Sequence, residues 1–245
     1  MKKERDLTSG NITSGLWAFA VPLMLGNVIQ QFYNLADTWI VGRYIGNIGL
    51  ATVGSSYTLM TFLTYIIIGL CLGNSTFISM EYGKKNIEKI RNGIYISFVM
   101  ILAVTVGIII IFYGFLDEII KMLQVPKDTV ADMKVYLVYV FIGFFATFIY
   151  NYISNVLRAI GNSVIPLIFL GVSVVLNVFL DILFVAVLKM GIMGAAVATV
   201  ISQYISALGT FGYYFFQYPQ LKVRKSDIKW NKSNFKSILS LSGFT

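Results

Sequence analysis

Histidine is absent from the 245-residue chain, and cysteine occurs once, at Cys71. The first absence removes the commonest general base and zinc ligand. The second excludes an intramolecular disulfide framework and a Cys-rich metal site. Charge is scarce as well. Charged residues make up 12% of the chain, about half the usual share of a soluble domain. Apolar residues make up 57%, and the mean hydropathy is +0.77. These features exclude an ordinary soluble domain and point to an all-α polytopic membrane protein.

Six apolar runs have spanning length, at about 15–41, 50–80, 93–114, 135–157, 164–188 and 192–217. Each supplies the roughly 20 residues that cross a ~30 Å hydrocarbon core. The polar start, MKKERDLTSGNITSG, does not have the pattern of a cleavable signal, so the first run is expected to be a retained transmembrane helix. With the N-terminus cytoplasmic, 14 of the 19 Lys and Arg residues fall on the inner side and 5 on the outer side. The positive-inside rule therefore predicts a multi-pass protein of the cell membrane with both ends of the chain in the cytoplasm. This placement accounts for the net charge of +8 without a nucleic-acid partner. The outer connection 115–131 is expected to form a short amphipathic surface helix ended by Val125-Pro126. Two units are expected: a six-helix transmembrane lobe over 1–218, and a basic cytoplasmic linker over 219–245 that ends in the start of a truncated seventh helix.

Of the eleven acidic residues, only Asp37 and Asp181 lie well inside apolar runs. An acid there costs at least a few kcal/mol unless it has a partner or a water-filled cavity. The first run carries Gln30, Tyr33 and Asp37 on one face, beside Asn27, Gln31, Asn34 and Thr38. The fifth carries Ser173, Asn177 and Asp181 at helical spacing, and the sixth carries Thr199, Ser202, Gln203, Ser206 and Thr210. Residue counts place Asp37, Asp181 and Thr199 at similar depth in the outer half of the membrane. There, two carboxylates, amides, a tyrosine and a threonine form a hydrophilic pocket. Carboxylate and amide oxygens suit a monovalent cation such as Na⁺, and a desolvated carboxyl also takes up a proton, so Na⁺ and H⁺ both remain open. Pro22, beneath the pocket, is a candidate bend. Gln30, Asn34 and Gln203 are candidates for lining a substrate cavity.

The chain resembles the N-terminal lobe of a multidrug and toxic compound extrusion (MATE) transporter. The stretches that carry the resemblance are Pro22-Leu23 through Asp37-Thr38-Trp39-Ile40-Val41-Gly42, then Leu50 to Ser56, Leu157 to Ser163 with Pro166, Leu176 to Asp181, and Gly194 to Thr199. They occur in the family's order across all six spans. The resemblance implies one six-helix lobe of a twelve-helix transporter that exports organic, often cationic, compounds in exchange for Na⁺ or H⁺. It also implies a cation site at Tyr33, Asp37, Asn177, Asp181 and Thr199, with no other cofactor. The partners it implies are small organic substrates, the lipid bilayer and a second, C-terminal lobe that the chain does not contain.

Two alternatives stay beside drug export: a lipid-linked precursor flippase of the same superfamily, and a half-lobe that does not transport without a partner. A flippase needs a strongly cationic central cavity, and no span buries Arg or Lys at mid-depth. An enzyme is not expected. Intramembrane aspartyl proteases pair a Tyr-Asp motif with Gly-x-Gly-Asp, whereas the two aspartates here stand in LADTW and VFLDI.

Overall fold

The computed structural model describes residues 12–243; the N-terminal Lys2, Lys3 and Arg5, counted in the orientation, and the final Phe244 and Thr245 lie outside them. Eight α-helices follow one another: α1 Ile12–Tyr44, α2 Asn47–Gly83, α3 Ile87–Gly114, α4 Leu116–Met122, α5 Val130–Ala159, α6 Val164–Asp181, α7 Gly191–Gln217 and α8 Lys232–Ser242. No strand occurs among the described residues. Among the described residues, five helices are long and apolar enough to cross a membrane: α2, α3, α5, α7, and α6 together with the turn that follows it. At 33 residues α1 is long enough too.

Short connections force neighbouring spans to run antiparallel. Between α1 and α2 the chain reverses at Ile45-Gly46, where Gly46 has φ +90°, a conformation that costs an L side chain. At the end of α5, Gly161 (φ +87°) donates its N–H to the Arg158 carbonyl at 3.0 Å, and Asn162 N–H reaches the Leu157 carbonyl at 2.9 Å. This Schellman closure satisfies carbonyls that the helix end would leave open. Lys85 plays the same part after α2, and Asn86 then caps α3 by accepting from Lys89 N–H at 3.1 Å.

The connection between α3 and α5 holds the expected short helix, α4, which stops at Met122, a few residues before Val125-Pro126. Only α4 is helical; Gln124 (φ +51°) breaks it, and Val125-Pro126 keeps it from resuming before α5. Leu116 and Ile120 of α4 are buried, and Lys134 of α5 pairs with Asp117 at 2.8 Å.

The centre of the bundle is α5, packed along α7 on one side and α2 on the other. Small residues of α7, Gly194, Ala195, Ala196 and Ala198, are buried and let the backbones approach. Phe112 of α3 stacks on Phe141 of α5, and Phe144, Phe148 and Tyr152 continue the aromatic seam. Within a bilayer such packing stabilises by close van der Waals contact rather than by escape from water. Many apolar side chains on the outer faces, among them Phe32, Phe62, Ile110, Val175 and Leu208, are exposed, as lipid-facing positions are.

Candidate cation site

Asp37 sits on the face of α1 that also carries the buried Ile40 and Val41, so the helix turns its acid toward the bundle. On α6, Asn177 and Asp181 are one turn apart and fully buried. Directly after Asp181 the helix widens into a π-helical turn, Ile182–Val187, closed by Leu188 N–H on the Leu183 carbonyl at 2.8 Å. Such turns are rare and recur at functional sites. The first turns of α7 bring Thr199 to the same place, and Tyr33 of α1 donates to Thr199 Oγ1 at 3.4 Å. The carboxyl groups of Asp37 and Asp181 stand within interaction range of each other. The five expected residues of the pocket thus sit on three helices, α1, α6 and α7, that the fold brings together.

A fourth wall, from α5, was not legible in the sequence. Tyr136, in the first turns of α5, is buried and faces Asp37, Tyr33 and Asp181. It lies near the end of α5 that follows α4, on the side of the bundle where the acids stand. That signal was hidden among the many aromatics of the same helix.

Asp37 Oδ1, both carboxylate oxygens of Asp181, and both amide atoms of Asn177 are buried without a hydrogen-bond partner among the described residues. A buried polar atom left unpaired costs roughly 1–3 kcal/mol, more when charged. Two carboxylates side by side in a medium of low dielectric also require positive charge between them. Carboxylate, amide and hydroxyl oxygens together are hard donors, which suit a small cation or a proton and not a soft metal. The residues present thus fit the ion that the site calls for.

Unpaired buried atoms also occur elsewhere, on Gln203, Thr52, Ser56 and Asn74 among others, but what marks this site is that two carboxyl groups share it, whereas many hydroxyls around it are paired. Ser173 Oγ donates to the Ser202 carbonyl at 2.9 Å, Ser202 Oγ to Ala198, Ser206 Oγ to Phe169 and Thr210 Oγ1 to Ser206. These hydroxyls stitch α6 to α7 or bond back along their own helix. Of the expected cavity residues, Gln30 is exposed, and Asn34 donates to the Tyr57 hydroxyl of α2 at 3.3 Å. Gln203 packs against Gly143 of α5, where even a Cβ would not fit. Pro22 lies within α1, which stays helical on both sides of it.

A sequence model of the MatE family matches residues 22–183. The chain is 34% identical over 206 residues to a probable multidrug resistance protein, YpnP, of Bacillus subtilis; the match covers 84% of this chain and 46% of that protein. It is 27% identical over 234 residues to a probable multidrug resistance protein, NorM, of Thermotoga maritima, covering 93% and 50%. Among solved structures it superposes on a MATE transporter in the outward-facing conformation with a TM-score of 0.88 at 24% identity, covering 99% of this chain and 55% of that one. A MATE structure in the bent conformation gives 0.87 at 25% identity, covering 95% and 52%. The chain spans about half the length of the relatives it matches.

Proposed function

The chain belongs to the MatE family of membrane transporters, and from that premise we propose that it is the N-terminal lobe of a cation-coupled exporter of drugs or other toxic organic compounds. The observation that carries the reading is the set of unpaired buried oxygens on Asp37, Asp181 and Asn177, closed in by Tyr33, Thr199 and Tyr136. The names of the relatives, multidrug resistance and export proteins, support the substrate class. The family is one of transporters, which is not an enzyme class.

In this reading Na⁺ or H⁺ enters between the two carboxylates and is held by the Asn177 carbonyl oxygen and the Thr199 hydroxyl. Binding favours the arrangement of α1, α6 and α7 in which both acids face the ion. A ligand shifts such an equilibrium only by its differential affinity for the two arrangements. Pro22 removes one backbone hydrogen bond from α1 and so provides the place where that helix bends. Rocking against a second lobe then exposes substrate to alternate sides of the membrane. The orientation with both ends of the chain cytoplasmic follows from the distribution of Lys and Arg.

The test is drug resistance in bacteria that lack their own exporters and express the full-length polypeptide carrying this lobe. Asp37→Asn is expected to abolish resistance while leaving the protein in the membrane, and wild-type resistance in that variant would overturn the assignment. Efflux from vesicles given either a Na⁺ gradient or a pH gradient identifies the coupling ion.

A further inference from the structure

The stretch between α7 and α8 is basic, but it is not an unattached tether. Arg91 of α3 donates through Nε to Asp227 Oδ2 at 2.8 Å, and Arg224 N–H donates to the same oxygen at 2.8 Å. Asn92 Nδ2 bridges the carbonyls of Asp227 and Lys229, at 2.9 and 2.8 Å, and Asn234 Nδ2 donates to Asn92 Oδ1 at 2.7 Å. Beyond them Ile238 of α8 is fully buried in the apolar cluster that α2, α3 and α5 share. The segment is therefore fixed across the first turns of α3. The apolar run of α3 begins just after Asn92, so the docked segment lies where that helix leaves the hydrocarbon layer.

Asp227 is the single acid between Tyr218 and Gly243, and Arg91 takes its charge. Arg224, Lys225, Lys229, Lys232 and Lys236 are all exposed, and none is in an ion pair among the described residues. Between them Ile228 is 53% and Trp230 52% exposed, although each is large and apolar. Lys222 lies over the Phe215 ring at 3.5 Å, at the end of α7. Cations alternating with exposed apolar and aromatic side chains, held at the level of the membrane edge, match a headgroup layer. Phosphates lie outward and acyl chains begin just beneath.

We propose that this docked segment is a binding surface for anionic phospholipid headgroups of the leaflet it faces. Arg224, Lys225, Lys229, Lys232 and Lys236 meet the phosphates, and Ile228 and Trp230 enter the boundary with the acyl chains. Any membrane protein gathers positive charge on one side. What distinguishes this segment is that hydrogen bonds to its backbone and the Arg91–Asp227 ion pair fix its main chain in place, so little backbone freedom is lost on binding. The inference rests on the membrane reading of the helices and not on the cation site or on which way the chain inserts.

The experiment uses the full chain with Trp17→Phe and Trp39→Phe, which leaves Trp230 as the sole tryptophan. It is reconstituted into phosphatidylcholine vesicles in which a fixed fraction of the lipid carries bromine on its acyl chains, either as phosphatidylcholine or as phosphatidylglycerol. Quenching of Trp230 by the brominated anionic lipid is expected to exceed that by the neutral one by about twofold or more. Joint replacement of Arg224, Lys225, Lys229, Lys232 and Lys236 by Gln is expected to bring the ratio to one. Should that variant fail to fold, about 0.5 M salt on the unaltered charges is expected to do the same. Equal quenching by the two lipids, or a preference that survives both neutralisation and salt, would overturn the proposal. So would loss of the preference on adding inorganic phosphate or an oligonucleotide at a fixed, low ionic strength at which chloride leaves it intact, which would assign the surface to a soluble anion or to nucleic acid. Drug export does not enter the readout, so this inference and the proposed transport function fail separately.

Discussion

Aspartates are buried in two regions of the molecule, and the chain treats them in opposite ways. At the α3–linker junction, Asp227 accepts from Arg91 and from the Arg224 backbone, and Asn92 holds the carbonyls on either side of it. In the bundle, neither oxygen of Asp181 has a hydrogen-bond partner among the described residues, and nor does Oδ1 of Asp37. The first arrangement is closed: every charge is answered, and nothing remains to be bound. The second is open, and the missing positive charge has to come from elsewhere. Burial alone does not separate a structural acid from one available to an ion; the accounting of donors does.

The sharpest way to break this contrast is at the open site. Asp37→Asn and Asp181→Asn are each expected to reduce drug export by the full-length polypeptide to background and to remove cation binding by the purified chain, with its helical content unchanged. Equal Na⁺ binding by either variant and the parent would make the two acids equivalent to any buried polar pair.

At the closed site the expected loss is of stability. Asp227→Ala leaves the half-buried Arg91 without its partner and unfastens the Arg224 N–H, which is expected to loosen the junction. Hydrogen exchange across residues 222–236 is expected to rise strongly in this variant while cation binding persists. A loss of both would mean that the two regions are not independent.

A smaller effect concerns pH. Burial works against the charged form of Asp227, but the Arg224 N–H and the Arg91 guanidinium outweigh it and hold the carboxyl below the usual carboxylate range. A depressed value contributes stability that is fully present above the ordinary carboxylate pKa of about 4. That stability is lost as pH falls through the lower, folded-state value. Protection of residues 222–236 is thus expected to stay flat from neutral pH down to about 4 and to fall only below it. Protection that declined already near pH 6 would show that another group controls the junction.

The smallest effect belongs to the exposed pair Lys134–Asp117. Lys134 draws the Asp117 carboxyl down from its ordinary value through their hydrogen bond and charge, yet water screens both partners. Lys134→Ala is expected to leave the thermal midpoint unchanged. A clear drop would place more of the fold's stability in α4 than its two buried apolar residues suggest.

Most of the bundle was legible because hydropathy runs and turn residues are local signals. Depth was legible as well, since counting residues along rigid helices brought Asp37, Asp181 and Thr199 to one level before any coordinate was known. Three features escaped for physical reasons. Tyr136 carries a polar hydroxyl on an apolar ring, so nothing distinguishes it from its packing neighbours. Arg91 and Asp227 lie 136 positions apart, and each reads as ordinary charge at a membrane edge. The wide turn after Asp181 is written ILFVAV, a string equally at home in a regular helix.

That wide turn also changes how the helix must be indexed. A π-helical turn accommodates one residue more than the regular repeat, which sets the residues beyond it about 100° out of phase with those before. A helical projection drawn straight through 164–188 would therefore assign Val185 and the residues after it to the wrong faces. Asn177 and Asp181 stand on the near side of this dislocation, and their aim at α1 is set independently of where the far end of the helix meets the α7 connection. Removing one residue from Ile182–Val187 would preserve an apolar span while forcing the two ends of the helix to choose which of them keeps its orientation.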